Sequence, residues 1–339
     1  MNPSPAITRV PFGNLPDGRI VHAHTLANGS GASLTVIDLG CIVTSLRMPD
    51  REGNFDDVVL GFDSLAPYLA GHPFFGAIAG RVAGRIPGGR ITVEGKDYQL
   101  ALNDGANHLH GGFHGLDKRL WTAEPADECS LRLTYHSPDG EEVYPGAVDF
   151  AVTYTLTEDN GFLVETEAIS DRATPVSLAQ HSYFNLAAEH SGTVADHEIR
   201  IHADEQAAAG PDMTLLGDRA PVAGTGEDFN ESRRLGDALS HMHNSHGALY
   251  FLREETGLRI VAEITEPRAG RVLTVHTTED CLQLYTGSGL DGSFVGRSGN
   301  AYQKHAGLCL ECQGYPGETI LSPGSPLRHT TFYQFSINR

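Results

Sequence analysis

No apolar run in this chain approaches the ~20 residues that a membrane-spanning helix requires. Its first residues, MNPSPAITRVPFGNLPDGRI, hold neither a basic leader nor an apolar stretch of signal length. Cytoplasmic residence is the expectation. Positive charge is scarce as well: 24 Lys and Arg stand against 43 Asp and Glu, a formal charge of -19. Such a chain repels phosphate backbones and anionic lipid surfaces, so neither nucleic acid nor a membrane is an expected partner. Cysteine is sparse and odd in number, at Cys41, Cys129, Cys281, Cys309 and Cys312, unlike the dense, even framework of a small secreted scaffold. Free thiols are expected. No low-complexity linker or break in composition marks a domain boundary.

Helical periodicity is also in short supply, with DSLAPYLAG the best short candidate. What recurs is alternation with a period of two. In VDFAVTYTLTEDNGFLVETEAIS it places Val148, Phe150, Val152, Tyr154 and Leu156 on one strand face. Asp159, Asn160 and Gly161 then supply a hairpin turn, and the pattern resumes through Phe162, Val164 and Thr166. RITVEGKDYQL reads as a hairpin around Glu94-Gly95-Lys96-Asp97, SLRLTYHS as a strand, and RVLTVHTTEDCLQLYTG as two strands with a polar link. The 39 Gly and 18 Pro punctuate these segments throughout. The chain reads as a single all-β domain over residues 1–339, sandwich or barrel-like, with few short helices.

Several polar groups fit a plain core poorly. Strand alternation in QHSYFNL would put His181, Tyr183 and Asn185 on one face, a surface suited to hydrogen bonding and ring stacking with a sugar. NHLHGGFHG offers a His108-x-His110 pair that could point two imidazoles at a metal. It runs into a glycine-rich loop without the carboxylate of a cupin-type site, so a hydrogen-bonding His110 is the preferred reading. GRVAGRIPGGR lacks the Gly-Lys-Ser/Thr ending of a phosphate loop; Arg81 and Arg85 share a face, either as surface arginines or as donor forks for ligand oxygens. In CLECQGYPGE a strand would turn Cys309, Glu311 and Gln313 one way and Leu310 and Cys312 the other. Two cysteines pointing apart cannot chelate one ion or close a disulfide, which leaves Glu311 as the working candidate.

Taken in order, GRVAGRI, NHLHGG, QHSYFNL, TTEDCLQLYTG and CLECQGYPG closely resemble the signature segments of the aldose 1-epimerases, and the likeness spans nearly the whole chain. The resemblance implies a large β-sandwich whose concave face binds a monosaccharide, with no metal and no organic cofactor. By match to the motifs, His181 corresponds to the general acid and Glu311 to the general base, while Arg85, His110, Tyr183 and Gln283 correspond to sugar contacts. Two departures stand out. Gly84 replaces an Asn usual before the first motif's Arg. The segment LSHMHNSHGALYFL lacks an Asp usual there, with Met242 or Gly247 in its place. The implied reaction interconverts the anomers of an aldose: a base takes the C1 hydroxyl proton, an acid protonates the ring oxygen, and the opened sugar rotates and recloses. Rival readings are a catalytically silent sugar-binding protein, a mutarotase for a phosphorylated or acidic sugar, and a metal-dependent isomerase built on His108 and His110. The preferred aldose and the oligomeric state, monomer or homodimer, stay open.

Overall fold

The computed structural model describes residues 6–211, 213–243 and 245–338. Three antiparallel sheets dominate. The strands Ala6–Asn14, Ile20–Ala27, Ser33–Ile37, Ile42–Pro49 and Phe55–Asp57 form a meander in chain order. A nine-stranded sheet has at its centre Val148–Leu156, Gly161–Ser170, Leu327–Ile337 and Arg271–Thr277, as successive neighbours. A five-stranded sheet runs in the order Leu215–Pro221, Glu205–Ala209, Leu249–Phe251, Cys281–Tyr285, Cys309–Gln313. The α-helices among the described residues are short, Leu65–Ala70 and Leu235–Leu239, and none is long and apolar enough to cross a membrane.

The alternation explains these elements. Val148, Phe150, Val152, Tyr154 and Leu156 are all buried, and the hairpin closes with Leu156 opposite Phe162. Asn160 takes the positive φ of 64° expected of the turn. Gly161 has another reason to be glycine: a Cβ there would lie 2.2 Å from the Phe332 ring. The second hairpin turns tightly through Glu94 and Gly95, at φ 49° and 77°. RVLTVHTTEDCLQLYTG does give two strands, but they belong to different sheets. Residues 278–280 carry the chain across the sandwich from the large sheet to the five-stranded one.

Between these sheets lies the main core, drawing Val152, Val164, Leu273 and Tyr333 from one side and Leu282, Leu284 and Leu310 from the other. The Tyr333 hydroxyl donates to the Leu310 carbonyl at 2.9 Å, fastening the two layers. Strand Cys309–Gln313 is buried on both faces. Its even residues Leu310 and Cys312 enter the core, which turns Glu311 to the opposite, concave side.

QHSYFNL departs from the strand expected of it. Only Ala179–Gln180 is strand, and beyond it a single bridged residue, Phe184, meets Val59 and Leu308. The backbone of this segment is shared among different neighbours. The His181 amide donates to Ala77 O, while its carbonyl accepts from Gly76 and that of Tyr183 from Leu60. Asn185 therefore does not share a solvated face with His181; its amide donates to the carbonyls of Gly192 and Ala306 in the interior.

Because Leu310 is fully buried, Leu310→Ala should destabilise the protein by about 2–5 kcal/mol through lost burial and a residual cavity. Chemical denaturation would check this. A change below about 1 kcal/mol would mean that the even-numbered face of this strand is not packed as described.

Candidate active site

One cleft of about 830 Å³ opens on the concave side, of the size typical for small-molecule sites. Strand register places its floor. Gln283 pairs across from Glu311, and Leu249 pairs across from Gln283, so three adjacent strands each offer one residue to the cleft at the same level. His181 reaches the cleft from the irregular segment after Gln180, and His110 from the turn after the two-residue strand His108–Leu109. That strand pairs with Arg85–Ile86, which brings Arg85 beside His110. All six residues singled out in the sequence thus line one cleft: Arg85, His110, His181, Tyr183, Gln283 and Glu311.

His110, His181 and Glu311 form a buried cluster in which one polar side-chain atom from each lies within 4.8 Å of the other two. His181 Nε2 stands 3.5 Å from Glu311 Oε1, a longer separation than a formed hydrogen bond. Burial favours the neutral form of each group. It pushes the Glu311 carboxyl up to about 8, opposed only by the Arg85 charge, and drags the His181 imidazole down to about 4. Both shifts favour an uncharged carboxyl facing an uncharged imidazole in the unliganded cleft. His110 is also held well below the ordinary histidine range by burial and by the neighbouring His181.

The two imidazoles are oriented from behind. Gly84 N donates to His110 Nδ1 at 3.1 Å, so in the neutral ring Nδ1 is the acceptor and the proton is on Nε2. An Nε2 that carries a proton is a donor for a ligand oxygen and is not a metal ligand. His110, His181 and Glu311 could surround an ion only if His110 gave up its bond to Gly84. His110 makes hydrogen bonds, as preferred, and the alternative His108–His110 metal pair does not form. His108 is turned away and held between the Tyr144 hydroxyl at 2.7 Å and the Ala101 carbonyl at 2.8 Å. For His181, Nδ1 lies 3.5 Å from the Cys309 sulfur. A thiol is both a weak donor and a weak acceptor, so this contact tolerates either protonation state of the ring. Cys309 thus touches the site, whereas Cys312 packs in the core on the other side of the strand.

The remaining expected residues fall into place unevenly. Arg85 gives its Nε to Asp104 at 2.7 Å, which steadies the guanidinium beside the cleft. Arg81 plays no part there: it is buried, and its guanidinium is spent on Ser137 and on the carbonyls of Pro138, Pro145 and Gly146. Tyr183 donates its hydroxyl to Pro73 O and stacks its ring on His181 at 5.2 Å, so it forms a wall. Gln283 donates Nε2 to Leu284 O at 2.6 Å.

Other cleft residues escaped the sequence reading. Phe74 adopts a left-handed φ of 60°, unfavourable for a bulky side chain, and lays its ring 4.5 Å from His110 and 5.7 Å from His181. No pattern in its neighbourhood signals that. Gln313, which the alternation turns to the same side as Glu311 without giving it a role, joins it in lining the cleft. Among the described residues, Glu311 Oε2 and Gln313 Oε1 are buried without a hydrogen-bond partner, two acceptors aimed at the same cleft.

Of the two departures, Gly84 is tightly constrained. It sits at φ 82°, and a Cβ there would lie 2.7 Å from Pro316 Cγ and 3.1 Å from Gln313 Nε2. An asparagine at this position must displace the cleft wall, so Gly84→Asn would not simply restore a contact. Met242 packs in the core, and Gly247, at φ 115°, would place a Cβ 2.0 Å from Leu284 O. Neither position offers a polar side chain to the cleft.

A strand-built cleft with aromatic walls and a buried His–Glu pair at its floor puts the chain among the galactose mutarotase-like β-sandwiches. Two solved structures share that fold at a TM-score of 0.87. An aldose epimerase homologue from C. elegans is 24% identical, and galactose 1-epimerase from Lactobacillus acidophilus NCFM is 26% identical. Each alignment covers 99% of this chain and 100% of the other. The family model for aldose 1-epimerase matches residues 22–334. Galactose mutarotase of Sus scrofa is 41% identical over 342 residues, 98% of this chain and 99% of that protein. Aldose 1-epimerase of Escherichia coli K12 is 31% identical over 351 residues, 99% of each. The chain belongs to the aldose 1-epimerase family.

Burial of Glu311 has a consequence for stability. Its folded pKa of about 8 lies above its ordinary value of 4.5. Its contribution to folding is therefore complete below pH 4.5 and is withdrawn as pH rises toward 8, by at most about 1.4 kcal/mol per pH unit. Glu311→Gln removes this dependence. The melting temperature of the variant minus that of the parent should grow between pH 5 and pH 8 by a few degrees. A constant difference across that range would show that Glu311 is ionised in the fold at an ordinary pKa.

Proposed function

We propose that the cleft interconverts the α and β anomers of an aldose of the galactose or glucose type, with His181 and Glu311 as the proton-handling pair. One observation carries the reading: two titratable groups with opposed pKa shifts face each other at 3.5 Å, buried, at the floor of a cleft. The C1 hydroxyl and the ring oxygen of a pyranose are bonded to the same carbon, so both groups must converge on a small volume, and this pair does.

In the opening half-reaction Glu311, as carboxylate, takes the proton of the C1 hydroxyl, and protonated His181 gives one to the ring oxygen. The C1–O5 bond breaks as the C1 carbonyl forms. Rotation about C1–C2 presents the other face of the aldehyde. On reclosure O5 attacks C1, its proton returns to His181, and the C1 oxygen recovers one from Glu311. The pair holds one proton at the start and one at the end. The free cleft keeps that proton on Glu311, and moving it to His181 yields the reactive form without exchange with solvent. Sugar hydroxyls would satisfy Glu311 Oε2 and Gln313 Oε1. His110, through Nε2–H, and Arg85 would donate to sugar oxygens, Gln283 would add a polar edge, and Tyr183 would present its ring. Retention of both proton carriers in contact argues against a silent sugar-binding protein. The chain acts as a single domain in this reading, supported by a core to which all three main sheets contribute. Its five free cysteines suit a reducing cytoplasm.

Glu311→Gln keeps the side chain's size and removes its basicity. Polarimetry on freshly dissolved α-galactose should show kcat lowered at least about 10²-fold with sugar binding largely kept. Cys309→Ser and Cys312→Ser should change kcat far less, Cys309 touching only the rear of His181. Near-normal turnover in Glu311→Gln, with loss in the cysteine variants, would refute the assignment. The pH profile gives a separate check. Activity needs one proton in the pair, so kcat/KM should be level between about pH 4 and about pH 8 and fall on either side, once solvent-catalysed mutarotation is subtracted. A single inflection near the ordinary histidine value of 6.5 would contradict the shared-proton description.

A further inference from the structure

The cleft is lined by one carboxylate besides Glu311 among the described residues, and that is Glu227. It stands outside the His110–His181–Glu311 cluster. Glu227 is 4% exposed and makes no ion pair among the described residues. Its position is fixed from several sides. Its amide donates to Thr225 Oγ1, its carbonyl accepts from the Tyr250 hydroxyl at 2.9 Å, and its Oε1 accepts from the His243 amide at 2.5 Å. The preceding Gly226 lies so close to the 241–243 segment that a Cβ would be 2.1 Å from His241 O. Glu227 is thus held against the very stretch that lacks a carboxylate of its own, the one running from Met242 to Gly247.

A carboxylate has about four acceptor positions, and among the described residues the His243 amide occupies one. A buried carboxylate with acceptor capacity facing a cleft is stable when a ligand supplies hydrogen-bond donors, and sugar hydroxyls are such donors. We propose that Glu227 is a specificity-determining residue that accepts a hydrogen bond from an aldose hydroxyl remote from C1. It does so from the 224–227 loop and not from the 242–247 segment. Because the bound and the reacting sugar share this contact, it contributes to affinity and not to the chemical step. The inference rests on the mutarotase reading for the identity of the ligand, but not on which residues move the protons.

The test is steady-state mutarotation by Glu227→Gln and Glu227→Ala on galactose, glucose and the monodeoxy analogues of galactose, with melting curves for each variant. Glutamine retains an oxygen for the His243 amide, so it separates charge from packing. Loss of a charge-assisted hydrogen bond should raise KM for galactose about tenfold or more while kcat stays within about threefold. For the one deoxy sugar that lacks the hydroxyl in question, parent and Glu227→Gln should have nearly equal KM. An unchanged KM for Glu227→Gln would overturn the proposal, as would a rise of the same size for every deoxy sugar. If Glu227→Ala fails to fold, Glu227→Gln alone decides. Failure of the proton-transfer assignment would show instead as normal kcat in Glu311→Gln, an outcome that leaves the deoxy-sugar comparison intact.

Discussion

The site depends on the exclusion of water from a carboxyl group and an imidazole that face each other. In water Glu311 would be ionised and His181 half protonated near neutrality. In the dry floor of the cleft both charges are disfavoured, which raises one group to about 8 and lowers the other to about 4. The two groups then hold one proton over a wide pH range. The proposed anomerisation by this pair requires that state, since each half-reaction would take a proton at one oxygen and give one at another. An exposed pair of the same residues, at the ordinary values of 4.5 and 6.5, would keep this count over a much narrower pH range.

The rest of the fold can be understood as support for that dryness and for the aim of the groups around it. Strand Cys309–Gln313 is covered on its inner face by the large sheet and fastened to it by the Tyr333 hydroxyl, so Glu311 projects from a backbone anchored in the core. Phe74 and Tyr183 lay their rings on His181 and shut out solvent. Gly84 performs two tasks with one backbone: its amide fixes the tautomer of His110, and its lack of a Cβ leaves room for Pro316 and Gln313. A substitution there would disturb binding through the wall before it supplied any new contact.

Much of this was legible in the sequence. Alternation identified the β class, the main hairpin and the opposed faces of CLECQ, because a period of two follows directly from strand geometry. Five ordered segments then identified the family, and all six residues taken from them line the cleft. Elsewhere local pattern left alternatives that only the fold decides. Arg81 and Arg85 look equivalent by spacing, yet one is buried among carbonyls and the other faces the cleft, a difference set by partners more than fifty residues away. His108 and His110 also looked paired, and a turn at His110, φ 49°, sends them apart. Glu227 gave no local signal at all, since it lies in a loop whose place is determined by contacts with the 241–243 segment.

The central claim is best tested by infrared difference spectroscopy of the unliganded protein against Glu311→Gln over a pH series. Subtraction cancels the other buried carboxyl whose pKa is raised to about 8, that of Glu279. A protonated-carboxyl band belonging to Glu311 should be present at neutral pH and vanish with a midpoint near 8. If only the carboxylate band is found at neutral pH, with protonation near the ordinary value of 4.5, Glu311 is ionised in the free cleft and the shared-proton account is wrong.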